Sequence, residues 1–182
     1  MNYKPRPQSQ SRKEIADGLK EAAAFLFFRQ GYSCTFEIGI AAWGSRRADV
    51  IANKINGHLV MIEVKSSVED FKRDTKWPEY MRARVVDKFF FIFTEEVWGK
   101  IQANPELAKR IGKTPGVLLL SPHTGYAYVK KRPMTIDIPV ENRITMLARL
   151  AWRKGDLSKR TQRRRKRIFL KLNTNLVNTI RH

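Results

Sequence analysis

The order of apolar and polar positions predicts a helix and then three short strands in the first third of the chain. Apolar residues recur at helical spacing from Ser11 or Arg12 to about Gln30, and Gly31 suits the end of the helix. Three strand-like segments follow: Ser33–Ile38, Arg47–Ala52 and His58–Val64. The dipeptide Asn56-Gly57 before the third strand is typical of a tight hairpin turn, so the second and third strands are expected to pair.

The middle of the chain predicts two short helices separated by a break. The first begins at Ser66 or Ser67, whose hydroxyl groups suit a helix N-terminus. Pro78 lacks a backbone N–H, so we expect a break near Trp77 and a second helix that ends near Arg84.

Strands and helices then alternate to residue 154. The run Phe89–Phe93 is apolar on both faces, which favours a central strand covered on both sides. The remaining elements are a helix at Leu107–Ile111, a buried strand at Gly116–Leu120, a charged edge strand at Ala127–Lys131 and a helix at Asn142–Lys154. This order predicts the α/β class, with a central mixed β-sheet flanked by α-helices.

The composition divides the 182 residues into three parts. Residues 1–11 are polar and predict a flexible arm, residues 12–152 form the predicted domain, and residues 153–182 form a basic, partly helical C-terminal extension. The most basic run of the extension is Arg163, Arg164, Arg165, Lys166 and Arg167. It is expected to contact the DNA backbone without reading sequence, although a solvated tail has the same composition.

The charge of the chain indicates its class of binding partner, and the cysteine count limits the kinds of metal site it can form. With 36 Lys and Arg against 17 Asp and Glu, the net charge is +19, which favours binding to nucleic acid. An acidic membrane surface is the competing polyanion, but the sequence carries no amphipathic anchor, so no membrane partner is expected. Cys34 is the only cysteine, which excludes cysteine-based zinc sites. We expect a cytoplasmic protein, encoded by a bacterium or a bacteriophage.

Three charged residues at the ends of the predicted hairpin strands are the candidate catalytic group. Side chains alternate along a strand, so Glu63 and Lys65 point to the same face. If the two strands pair through the predicted turn, Asp49 lies beside Glu63. Two carboxylates suit Mg²⁺, with Mn²⁺ as a substitute, and a lysine can hold the attacking water or neutralise phosphate charge.

An acid and a lysine two residues apart also occur on ordinary solvated strand faces. Here, however, Glu63 and Lys65 end the apolar run Leu59–Ile62, which predicts a buried strand where charges need a function.

The same residues resemble a known family. Asp49 followed by Glu63-x-Lys65 looks like the core motif of the PD-(D/E)XK, or restriction-endonuclease-like, nuclease superfamily. The longer strings RRADV at 46–50, EVKSSVEDFKRDTKWPEY at 63–80 and DKFFF at 87–91 resemble the MmcB-type family of DNA repair proteins, over a stretch from about Gly18 to Trp152. The resemblance implies a restriction-endonuclease-like sheet and metal-dependent cleavage of phosphodiester bonds.

Other residues are candidates for supporting roles. Glu21 in the first helix and Glu37 in the first strand are predicted accessory acids, Glu21 because related nucleases add a helix glutamate at similar spacing. Lys76 is expected to approach the phosphate, with Asp74 orienting Lys76 or Arg47; surface ion pairing is the alternative. The predicted DNA-binding cations beside the motif are Arg46, Arg47, Lys72 and Arg73.

These features predict a Mg²⁺-dependent deoxyribonuclease that acts in repair, recombination or replication. Two alternatives stay open: a catalytically silent DNA-binding and recruitment module, and a homodimeric resolvase of four-way junctions. The sequence contains no base-reading module, so recognition of DNA shape is expected, with single-stranded, branched and duplex DNA all candidates. No residue discriminates DNA from RNA.

Overall fold

The protein is described here from a computed structural model, which covers residues 11–40 and 47–154. The helices are α1 (Arg12–Phe28), α2 (Val68–Arg73), α3 (Trp77–Arg82), α4 (Glu95–Gln102), α5 (Pro105–Ile111) and α6 (Val140–Lys154). The strands are β1 (Ser33–Gly39), β2 (Arg47–Asn53), β3 (Leu59–Val64), β4 (Lys88–Thr94), β5 (Gly116–Leu120) and β6 (Ala127–Lys131).

All six strands form one sheet in the order of the chain, β1-β2-β3-β4-β5-β6. Strands β1, β2 and β3 are antiparallel, β3, β4 and β5 are parallel, and β6 returns antiparallel to β5. The turn between β2 and β3 has Gly57 at a φ of 80°, a left-handed conformation that glycine adopts at low cost. The predicted mixed α/β sheet flanked by helices is therefore confirmed, as are the predicted hairpin and the central place of β4.

Helix α1 covers one face of the sheet. Ser11 caps its N-terminus: the Glu14 N–H donates to the Ser11 hydroxyl, and the Ser11 N–H donates to the Glu14 carboxylate, so two otherwise unpaired donors are satisfied. From α1, Leu19 and Phe27 join a buried cluster with side chains of β2, β3, β4 and β5. This packing fixes which side of α1 faces the ends of the strands.

Aromatic side chains pack the opposite face. Phe71 of α2 makes edge-on contacts with Phe91 and Phe93 of β4, and Trp77 of α3 contacts Phe91 with ring centroids 5.6 Å apart. Tyr80 is also buried. This packing holds α2 and α3 beside the end of β3.

The helix break falls three residues earlier than predicted. The chain leaves helical geometry at Asp74, where ψ is 101°, and α3 begins at Trp77 with Lys76 as its N-cap residue. Helix α4 was not predicted at all. It follows β4 without a loop, and its N-terminus is capped by Thr94, which accepts a hydrogen bond from the Val97 N–H.

Gly116 in β5 is required by close packing. A Cβ atom there would lie 2.5 Å from two ring carbons of Phe90 and 3.0 Å from the Lys131 carbonyl oxygen. Gly116→Ala is expected to lower the free energy of unfolding by about 1 to 3 kcal/mol, because the buried ring has to shift. Chemical denaturation measures the change. The matched control is Gly99→Ala in α4, where nothing lies within 4 Å and alanine is the better helix former. Equal stability of the two variants would contradict the packing argument.

The chain divides into two compact units, Met1–Arg143 and Ile144–His182. The first contains the whole sheet, and α6 begins in the first and continues in the second. The predicted boundary at residue 152 stays a prediction, and most of the predicted arm and extension lies outside the described residues. Within those residues, none of the helices combines the length and hydropathy that crossing a lipid bilayer demands.

Candidate active site

The carboxylates of the predicted catalytic group lie at the end of the β2–β3 hairpin. The ladder pairs Val50 with Ile62, and continuing that register by one residue places Asp49 opposite Glu63. Asp49 Oδ2 accepts a hydrogen bond of 2.8 Å from the Val64 N–H, so the carboxylate takes a donor of β3. The two acids are therefore held side by side by the backbone itself.

Lys65 directly follows β3 and lies at the same place. Its Nζ is 3.9 Å from Glu63 Oε2 and 2.6 Å from Asp74 Oδ2, and both Glu63 and Lys65 are only 6% exposed. The early end of α2 turns Asp74 toward Lys65, which is the cation its carboxylate pairs with. Asp74 Oδ1 also accepts a hydrogen bond from the backbone N–H of Lys76, and the role of Asp74 in orienting the Lys76 or Arg47 side chain stays a prediction.

Arg110 of α5 fixes the turn that carries Asp74. Its guanidinium group donates to the carbonyl oxygens of Lys72 and Asp74 and stacks over the Phe71 ring. Sequence reasoning missed this residue, which lies 36 positions from Asp74 along the chain.

Burial disfavours the ionised forms of Asp49 and Glu63. It raises the pKa of Glu63 to about 8, with the neighbouring Asp49 charge adding to the effect and Lys65 opposing it. Burial also raises the pKa of Asp49, against the Val64 hydrogen bond and the nearby lysines. Although burial alone would lower the pKa of Lys65, its pairing with Asp74 raises it, so this side chain stays cationic.

The two acids suit a divalent cation. Glu63 Oε1 is buried and has no hydrogen-bond partner among the described residues, so a strong acceptor stands free beside a second carboxylate. Mg²⁺ needs only one or two carboxylates, because water and substrate phosphate complete its shell. Across the described ranges, His, Cys, Asp and Glu side chains nowhere gather in a group of three or more that could hold a metal ion.

The group opens into a cleft of about 750 Å³ that is lined by side chains from α1, β2, β3, α2 and α3. Besides Asp49, Glu63 and Lys65, four cationic residues line it: Lys20, Arg47, Arg73 and Lys76. Asp70 and Asp74 line it as well, so the described lining carries five cationic residues against four acids.

The remaining predicted residues fall in different places. Arg47, Arg73, Lys76 and Asp74 line the cleft. Glu21 lies on a separate depression with Phe25, Phe28 and Phe36, and Lys72 is exposed and does not line the cleft. Glu37 pairs with two cations, Lys20 and Arg47, and not with the acids. Arg46 and the run 163–167 lie outside the described residues.

Lys20 is the second residue that the sequence did not single out. It precedes Glu21 in α1, and its Nζ lies 3.9 Å from Asp49 Oδ1. The first helix therefore presents a cation to the cleft where an acid was expected, because the packing of Leu19 and Ala23 turns position 20 toward the strand ends.

Comparison with known proteins places the chain in a family. The model of the MmcB-like DNA repair protein family matches residues 4–106. The chain belongs to this family. The match includes the whole cleft and ends in α5, so it begins earlier and ends earlier than the resemblance noted in the sequence. A search of the curated proteins found no significant match.

Solved structures support the fold of this MmcB-like protein. SPO1766, a protein of unknown function from Silicibacter pomeroyi, is 22% identical with a TM-score of 0.62, over 80% of this chain and 86% of that one. A repair endonuclease from Pyrococcus abyssi is 13% identical with a TM-score of 0.31, over 55% of this chain and 46% of that one. The first likeness supports the fold alone, and the second is too distant to carry an argument.

Proposed function

We propose that this MmcB-like protein is a divalent-metal-dependent DNA nuclease that acts in DNA repair. The observation that carries the proposal is the meeting of Asp49, Glu63 and Lys65 at the end of one hairpin, inside a cleft rimmed by cations. Burying charged side chains costs free energy, so they are uncommon in a core. Two adjacent acids with raised pKa values are typical of a functional site.

Each residue of the group has a distinct task in this proposal. Asp49 and Glu63 would hold Mg²⁺, which when bound lowers the pKa of water and offsets phosphate charge. The Lys65 ammonium group, kept protonated by Asp74, donates to a phosphate oxygen or to the attacking water. Asp74 acts as a positioning residue, since one of the three N–H groups of Lys65 is committed to it and two remain for substrate.

The test is cleavage of a labelled DNA panel, single-stranded, nicked, forked and four-way, at one salt concentration. We expect cleavage with Mg²⁺ or Mn²⁺ and none with EDTA. Lys65→Met is expected to lower the rate at least about 100-fold, because an oxyanion-stabilising charge is lost. Metal-independent cleavage, or a Lys65→Met rate equal to that of the wild type, would contradict the proposal.

A second candidate function is a DNA-binding module without catalysis. The pKa of about 8 favours it, because Glu63 is then mostly protonated at neutral pH and a poor metal ligand. Salt-sensitive binding to the panel, together with no cleavage in Mg²⁺ or Mn²⁺ up to pH 9, would support this candidate over the nuclease.

A further inference from the structure

Glu37 joins two cations at the rim of the cleft. Its Oε1 pairs with Lys20 Nζ of α1, and its Oε2 lies 2.5 Å from Nε of Arg47 at the start of β2. Both cations line the cleft, and Lys20 also lies 3.9 Å from Asp49. One acid thus gathers two positive side chains from different elements beside the candidate metal ligands.

Glu37 has an unusual backbone conformation within β1. Glu37 has a φ of 55°, a left-handed conformation that is uncommon for a residue with a side chain. The strand pairs Phe36 with Val50 and Ile38 with Ala48, so Glu37 lies opposite Asp49 in the register. A strained residue persists only where its surroundings hold it, and such residues concentrate at functional sites.

Lys20 and Arg47 keep hydrogen-bond donors that Glu37 does not take. Arg47 contacts Glu37 through Nε, which leaves its two terminal amino groups, and its side chain is 63% exposed. The ammonium group of Lys20 has three donors, of which Glu37 takes one. Both cations line the cleft, so the donors that Glu37 does not take are available to an anionic ligand there.

We propose that Lys20 and Arg47 form a phosphate-binding subsite for the DNA backbone, held in place by Glu37. The inference rests on the proposed function and deepens it, because it assigns one backbone phosphate next to the scissile position to these two side chains. Arginine can take two oxygens of a phosphate at once, and lysine supplies a point charge. The same geometry makes Glu37 a positioning residue and not a metal ligand.

The test uses the salt dependence of binding, which counts phosphate contacts. A fluorescein-labelled forked DNA is titrated with the full chain in EDTA, so that no cleavage interferes, at several salt concentrations. Lys20→Gln and Arg47→Gln are each expected to weaken binding roughly three- to tenfold and to reduce the slope of log K against log salt by about 0.9. In the double variant the slope should fall by about 1.8.

The control is Lys113→Gln, which removes the same charge in the segment between α5 and β5, at a position that does not line the cleft. Its slope should equal that of the wild type. The proposed subsite would be overturned if neither Lys20→Gln nor Arg47→Gln changed the slope of log K against log salt. It would also be overturned if Lys113→Gln reduced that slope as much as they do. Reduced slopes in a protein that never cleaves DNA would keep the subsite and count against the nuclease alone.

Discussion

Glu63→Gln is expected to abolish Mg²⁺-dependent cleavage of DNA while DNA binding survives. The substitution keeps the size of the side chain but removes the negative charge that a divalent cation requires. The rate should fall at least about 1000-fold, since both the activation of water and the charge stabilisation depend on the ion. Initial rates on the preferred DNA of the panel measure the loss, and binding in EDTA should stay within about threefold of the wild type, because the phosphate-binding cations are untouched.

Glu21→Gln is the matched control for this variant. It makes the same change of charge and shape in α1, but its side chain lies in the depression formed with Phe25 and Phe28, outside the cleft. Its rate should equal that of the wild type. If the cleavage rate fell equally in Glu21→Gln and Glu63→Gln, or stayed at the wild-type rate in both, the assignment of Glu63 as a metal ligand would be contradicted.

The second large effect is on stability as a function of pH. The pKa of Glu63 is about 8 in the folded protein against an ordinary value of 4.5, so between these values the folded state holds a proton that the unfolded state has released. Glu63 therefore stabilises the fold fully below about pH 4.5, and that contribution is lost by about 1.4 kcal/mol per pH unit as the pH rises toward 8.

Chemical denaturation from about pH 5 to 9 in EDTA measures this effect. Glu63→Gln should become more stable relative to the wild type as the pH rises, because only the wild type has to ionise a buried carboxyl group. This difference in the free energy of unfolding should level off above about pH 8. Adding Mg²⁺ at that pH should stabilise the wild type, because the ion binds the ionised carboxylates of the folded state, and should leave Glu63→Gln unchanged. A difference that stays flat with pH would show that Glu63 ionises normally.

Most of the fold follows from local patterns along the chain. Strands β5 and β6 match their predicted bounds, because each is a short apolar or alternating run between clear turns. Helix α4 was not predicted because it starts at Glu95, directly after a buried strand, and contains Gly99. The signal that would have found it is Thr94 followed by two acids, a typical helix start.

The site was predictable where it depends on one hairpin and not where it depends on packing. Asp49, Glu63 and Lys65 follow from strand alternation and one turn. Which of Lys20 and Glu21 faces the cleft depends on how α1 rotates against the sheet, and neighbouring helix positions differ by about 100°. The Lys65–Asp74 pair needs the early end of α2, which Arg110 enforces from a distant helix.

The strand order of the sheet also has a consequence for biosynthesis. Each strand pairs with the strand next to it in the chain, and the described residues that line the cleft all lie between Ala16 and Tyr80. Because a chain leaves the ribosome from its amino end, the proposed metal ligands Asp49 and Glu63 and the proposed phosphate subsite of Lys20 and Arg47 are made before β4, β5 and β6. The later strands complete the sheet and its core after the residues of the proposed site have been synthesised.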